Sequence, residues 1–197
     1  MWFWLIPVII VILFIAIICI RAALFVPKKS DKPIAKREII EVDGERAVRN
    51  LQALIRCETI TPDTYEKPSP YEKDFEEFRA LLPKLYPLVH ERCTFERVGP
   101  GGLLFHWKGK SSDKPSVFMS HYDVVPAEEG KWQKPPFSGT REKCEKSSQM
   151  EIWGRGTLDT KGTLCAALEA AETLLSQGFT PEQDIYFSFV AVSTNER

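Results

Sequence analysis

Apolar residues fill the start of the chain almost without a break. Trp2 to Ile20 contains no charged residue, and after Arg21 the apolar run resumes from Ala22 to Val26. At a rise of ~1.5 Å per residue, a helix of this length nearly crosses a hydrocarbon core of roughly 30 Å. Arg21 can carry its charge out to the headgroups, Trp2 and Trp4 suit an interfacial belt, and Pro7 is tolerated early in a span. Apolar residues all round the helix argue against a core helix of a soluble domain. A cleaved signal peptide would need a basic start and a small-x-small site, and neither is present. The pattern therefore predicts a transmembrane anchor over residues 1–26, in contact with membrane lipid through residues 2–26. A basic, proline-containing juxtamembrane linker follows over residues 27–38. Arg21, Lys28, Lys29, Lys32, Lys36 and Arg37 all follow the span. The positive-inside rule then gives a single-pass membrane protein with its body in the cytoplasm.

Residues 39–197 alternate between two hydrophobic periods. Val48, Leu51 and Ile55 predict a helix over Gly44 to Arg56, and Phe75, Phe78, Leu81, Leu82 and Leu85 one over Asp74 to Leu85. Pro62 to Tyr71 is polar and proline-rich, and reads as a loop. Val89 to Val98 and Gly102 to Trp107 read as strands joined by the Gly99–Gly102 turn. Ser116 to Met119 is a short apolar strand that runs into His121. Leu164, Leu168, Ala171 and Leu175 predict a helix over Thr163 to Gln177, ended by Gly178 and Pro181. Asp184 opens a last strand, Ile185 to Val192. The alternation predicts an α/β fold, a three-layer sandwich around a mixed, largely parallel sheet.

Composition narrows the function. A formal net charge of −1 over 197 residues argues against a nucleic-acid partner. Five cysteines at wide spacing form no C-x-x-C pair, which excludes a zinc ribbon or a thioredoxin-type motif.

Three short motifs carry chemistry, each just past a strand or before a helix. In Ser120-His121-Tyr122-Asp123, residues two apart in extended chain share a face. His121 could thus bind zinc while Asp123 holds its other ring nitrogen. Alone, the pair is weak evidence and reads more readily as a solvated loop pair. In Gly154-Arg155-Gly156-Thr157-Leu158-Asp159-Thr160-Lys161-Gly162, Asp159 either caps the following helix or bridges two metal ions. The spacing does not fit a phosphate-binding loop. Glu196, in Ser193 to Arg197, is either a frayed terminal residue or a general base.

The order of these motifs, with Trp132 and Pro135-Pro136-Phe137-Ser138-Gly139 between the first two, resembles the di-zinc metallopeptidases. These include carboxypeptidase S, acetylornithine deacetylase, succinyl-diaminopimelate desuccinylase and the aminoacylases. The resemblance is closest to the branch of carboxypeptidase S and the N-acyl-amino-acid hydrolases, and runs from about Gly44 to the end. It implies a zinc-dependent hydrolase of amide bonds in a small peptide or N-acyl amino acid. It also implies His121 as a zinc ligand, Asp159 as the bridge between two zinc ions, Asp123 as the residue orienting His121, and Glu196 as general base. Arg197 stands where the family has a second, zinc-binding glutamate. The later ligands and the homodimerisation domain of the family lie beyond the matching part. The resemblance thus implies a partial catalytic domain with an incomplete second zinc site, truncated and of reduced or no activity as given. The alternatives are a non-catalytic membrane-anchored remnant of the same fold, or a purely structural tethered domain. His90 and His106, well before the motifs, read as structural.

Overall fold

The computed structural model describes residues 3–26, 39–61, 71–145 and 147–191. The expected linker over 27–38, most of the Pro62–Tyr71 loop, and Glu196 with Arg197 lie outside the described residues. The chain divides into two compact units, Met1–Ile40 and Glu41–Arg197.

The first unit holds helix α1, Leu5–Ala23, with none of its side chains buried. Its 19 residues give about 28 Å at the usual rise per residue, long and apolar enough to cross a membrane. Arg21 lies in its last turn, where a cation complements the helix dipole.

The second unit begins with helix α2, Gly44–Arg56, capped by the Asp43 carboxylate on the Arg46 N–H at 2.9 Å. Its buried face runs through Asn50, Leu54 and Ile55, rotated from the expected Val48–Leu51–Ile55 stripe. The reason is polar: Asn50 Nδ2 donates to Glu169 Oε1 at 2.6 Å, so the helix turns an amide inward. Helix α3, Glu72–Leu85, buries Phe75, Phe78 and Leu82. Helix α4, Pro87–Arg92, replaces the expected start of a strand at Val89. Pro87 occupies its first turn, and the Glu172 carboxylate accepts from the Leu88 and Val89 N–H groups at 3.0 and 2.9 Å. An acid from a distant segment thereby satisfies this helix start.

Strands β1, Thr94–Val98, and β2, Gly102–Trp107, form a hairpin. Strand β3 is Ser111–His121, longer than its apolar core suggested. Strands β4, Thr140–Lys143, and β5, Met150–Trp153, make a separate two-stranded ribbon that the hydrophobic pattern did not reveal. Helix α5, Lys161–Ser176, leads to the last strand, β6, Gln183–Val190.

The main sheet has the order β1-β2-β6-β3, with β3–β6 parallel and both β1–β2 and β2–β6 antiparallel. It is mixed as expected, but not largely parallel among the described residues. The short turn between β1 and β2 permits only antiparallel pairing, and β6 inserts between β2 and β3. The three-layer expectation is also corrected for the described residues. Leu103, Phe105 and Trp107 of β2 and Phe187 and Phe189 of β6 share one core with residues of all four helices α2 to α5. Val117 and Met119, of the opposite parity, are exposed. The helices preceding the sheet collect on the α5 side because their polar anchors, Glu169 and Glu172, stand on α5. This part is therefore two layers deep.

Candidate active site

His121 is the last residue of β3, and the chain beyond it stays extended. The Tyr122 N–H donates to Val190 O at 3.0 Å, so the strand alternation carries on past the sheet. Tyr122 is consequently fully buried, while His121 and Asp123 point the other way together. His121 Nδ1 lies 2.9 Å from the Asp123 carbonyl oxygen and 3.3 Å from Asp123 Oδ1. A carbonyl only accepts, so Nδ1 carries a proton, and Nε2 is the nitrogen left to meet another group. It meets Asp159 Oδ1 at 2.9 Å, across 38 residues of sequence. Partial burial acts to lower the His121 pKa, but the bonds to Asp123 and Asp159 outweigh it and raise it above the ordinary imidazole value.

Asp159 precedes α5 by two residues, and its side chain is 84% exposed. The Asp159–Thr160 peptide is cis. Thr160 laces this segment to the end of β3. Its hydroxyl accepts from the His121 N–H at 3.0 Å and donates to His121 O at 2.9 Å, and Ser120 Oγ lies 2.6 Å from it.

Two cations of the glycine-rich motif hold the surrounding loops. Lys161 is 0% exposed and opens α5. Its Nζ donates to Leu54 O at 3.0 Å and Cys57 O at 2.6 Å, and lies 5.4 Å from the centre of the Phe78 ring. The lysine thereby satisfies carbonyls at the end of α2, which have no partner within their own helix. Burial pushes its pKa down to about 8. Arg155 stacks 5.0 Å over Trp132 and donates through Nη2 to Pro126 O at 3.1 Å. Its backbone N–H donates to Pro136 O at 2.6 Å, so the loop after Asp123 is pinned beside the loop before Asp159. Gly156 takes φ +85°, and a Cβ there would lie 2.9 Å from Val124 Cγ1, so a side chain would be strained and would force Val124 to shift.

Of the expected site residues, the structure brings His121, Asp123 and Asp159 together; Glu196 and Arg197 lie outside the described residues. His90 sits in α4 rather than in a strand, its ring against Phe95 and Phe105. His106 pairs with Asp184 at 2.9 Å and stacks on Tyr186, which satisfies it structurally. The residue pattern did not reveal Thr160, Lys161 and Arg155 as anchors, although all three stand inside or beside the quoted motif.

An imidazole nitrogen facing a carboxylate, with the other ring nitrogen held, is a donor pair that suits zinc. A catalytic zinc normally takes three protein ligands. Among the described residues, no group of three His, Cys, Asp or Glu side chains could hold a metal ion. The pair fits the metal in kind, and the described ligand set is partial.

Comparison with known proteins bears on the family and the fold. Carboxypeptidase S of Saccharomyces cerevisiae is 34% identical over 149 residues, covering 72% of this chain and 25% of that protein. The N-fatty-acyl-amino acid synthase/hydrolase of Xenopus tropicalis is 30% identical over 152 residues, covering 76% of this chain and 28% of that protein. The chain thus spans about a quarter of the length of these relatives. The crystal structure of human carnosine dipeptidase 1 superposes with a TM-score of 0.55 at 20% identity, over 74% of this chain and 31% of that one, which shows a shared fold. Residues 117–191, from the β3 strand that delivers His121 to the end of β6, match the peptidase family M20/M25/M40, and the chain resembles its carboxypeptidase S and N-acyl-amino-acid hydrolase branch.

Proposed function

We propose that this chain carries part of the catalytic domain of a zinc-dependent amidohydrolase that cleaves the amide bond of a small peptide or an N-acyl amino acid. The observation that carries the reading is the posture of His121, held at Nδ1 by Asp123 and aimed through Nε2 at Asp159. The names of the two relatives supply the substrate classes, a carboxypeptidase and an N-fatty-acyl-amino acid hydrolase. His121 and Asp159 would hold zinc, with Asp159 as the bridge to a second ion. Held there, zinc would supply Lewis acidity toward an amide carbonyl and a bound water. Asp123 fixes the His121 ring, and Glu196 would take and return the proton of the attacking water. Helix α1 would anchor the protein in a membrane, with the body cytoplasmic by the charge rule.

Zinc titration by calorimetry tests the site, with His121→Ala and Asp159→Asn as controls, alongside hydrolysis of dipeptides and N-acyl amino acids. Binding that depends on both residues supports the reading; identical binding after His121→Ala would overturn it. A second reading is a non-catalytic membrane-anchored form of the same fold, in which the pair of His121 and Asp159 persists without a complete ligand set. Site-dependent zinc binding that stays without hydrolysis when the chain is extended to the length of its relatives selects that one.

A further inference from the structure

The segment that leaves α2 runs beside the segment that leaves β3. Ile60 forms a parallel bridge with Val124. The Val124 N–H donates to Thr59 O at 2.8 Å, the Thr61 N–H donates to Val124 O at 2.9 Å, and the Thr59 hydroxyl donates to Tyr122 O at 2.5 Å. Tyr122–Val124 is therefore held along its backbone by residues 59–61. This clamp sets Thr61 opposite one particular side chain. Its hydroxyl lies 2.9 Å from Asp123 Oδ2, while Asp123 Oδ1 faces His121 Nδ1 at 3.3 Å.

The direction of that bond follows from chemistry. An ionised carboxylate only accepts, so Thr61 donates. The terminal torsion of aspartate is broad and lacks a sharp minimum of its own. A donor on one oxygen therefore helps decide where the other oxygen points. We infer that Thr61 is a positioning residue for the metal centre: it aims the Asp123 carboxylate at His121 Nδ1, where that carboxylate joins the Asp123 carbonyl in holding the proton on this nitrogen and keeps Nε2 turned toward Asp159 and the metal. This deepens the proposed function and rests on it for the identity of the metal.

The experiment uses the full chain in detergent micelles, as wild type, Thr61→Val and Thr61→Ser. Valine keeps the branched shape and loses the donor, whereas serine restores the donor. Zinc titration is expected to show about a 10-fold loss of affinity for Thr61→Val, the low end of the range for partners standing behind metal-ligating histidines. Thr61→Ser should bind as wild type does. The second readout needs no zinc. The chain has three histidines, so imidazole nitrogen shifts of His121 can be resolved by NMR at a pH where the ring is neutral. Wild type and Thr61→Ser should hold the proton on Nδ1 to the same extent, and Thr61→Val, which keeps the Asp123 carbonyl but loses the aimed carboxylate, should show a measurably larger share of the Nε2–H tautomer. A Thr61→Val chain with the wild-type tautomer and wild-type zinc affinity would overturn the inference, as would a Thr61→Ser chain that fails like valine. A wild-type chain that binds no zinc refutes the metal reading instead, and the tautomer measurement still decides the role of Thr61.

Discussion

Tyr122 joins the candidate site to the core, and its truncation reports on that link. It is 0% exposed, stacks on Phe78 at 4.8 Å and 8°, and meets Phe75 edge-on at 6.0 Å. Its hydroxyl donates to Gly101 O at 3.0 Å and receives a long bond of 3.4 Å from Arg79 Nη1. Burial raises the phenol pKa, although Arg79 acts in the other direction. In Tyr122→Phe both rings stay stacked. Gly101 O still accepts from the Ala191 N–H at 3.0 Å, and Arg79 keeps Glu72 and Glu76. The Gly101 carbonyl and the Arg79 guanidinium each keep a partner, and only Arg79 Nη1 loses its long bond, so the cost is close to that of one ordinary hydrogen bond, about 1 kcal/mol. Tyr122→Ala adds a ring-sized cavity, about 3–5 kcal/mol, and removes two aromatic contacts. Against a total domain stability of roughly 5–15 kcal/mol, the alanine variant should be marginal. Guanidinium unfolding followed by tryptophan fluorescence measures both variants. Zinc titration should show wild-type binding for Tyr122→Phe and weakened binding for Tyr122→Ala, because His121 and Asp123 flank this residue. If phenylalanine costs as much as alanine, or alanine costs less than about 1 kcal/mol, the account of Tyr122 as a packing anchor is wrong.

Arg46→Met leaves the Glu169 carboxylate, whose side chain is 3% exposed, with Asn50 but without its cation. A loss of about 3 kcal/mol in chemical unfolding is expected, and Glu169→Gln in the same background should recover part of it. Asp184 is held below its ordinary pKa by the Gly109 N–H and then by His106. It therefore contributes stability that is complete above its unfolded value of 3.8 and is lost as pH falls through the lower folded value. Thermal unfolding between neutral and acid pH should show a flatter acid limb for Asp184→Asn, and an unchanged limb would refute this. Removing residues 1–26 should move the protein from an alkaline-resistant membrane fraction to the soluble fraction; a full-length chain already soluble would remove the case for an anchor.

Several features of this chain are written locally. The bounds of α2 follow from the Asp43 cap and the helical spacing, and β2 spans the expected residues Gly102–Trp107. Gly178, at φ +72°, ends the α5 region as its position implied. That His121 and Asp123 share a side, with Tyr122 between them buried, needs only the two-residue period of extended chain. The apolar length of α1 is likewise a property of consecutive residues. Other features depend on partners far away in sequence. Val89–Arg92 is helical because Glu172, more than 80 residues later, satisfies the N–H groups that open α4. Asn50 faces inward because Glu169 waits there, and Lys161 is buried because the end of α2 offers two carbonyls. The sheet is mixed because β6, the last strand, inserts between β2 and β3. The meeting of His121 with Asp159, and of Thr61 with Asp123, has the same origin. A periodicity reports which side of an element is apolar, but a buried polar group is tolerated only where a partner from another element meets it, and that pairing exists only once the chain has closed on itself.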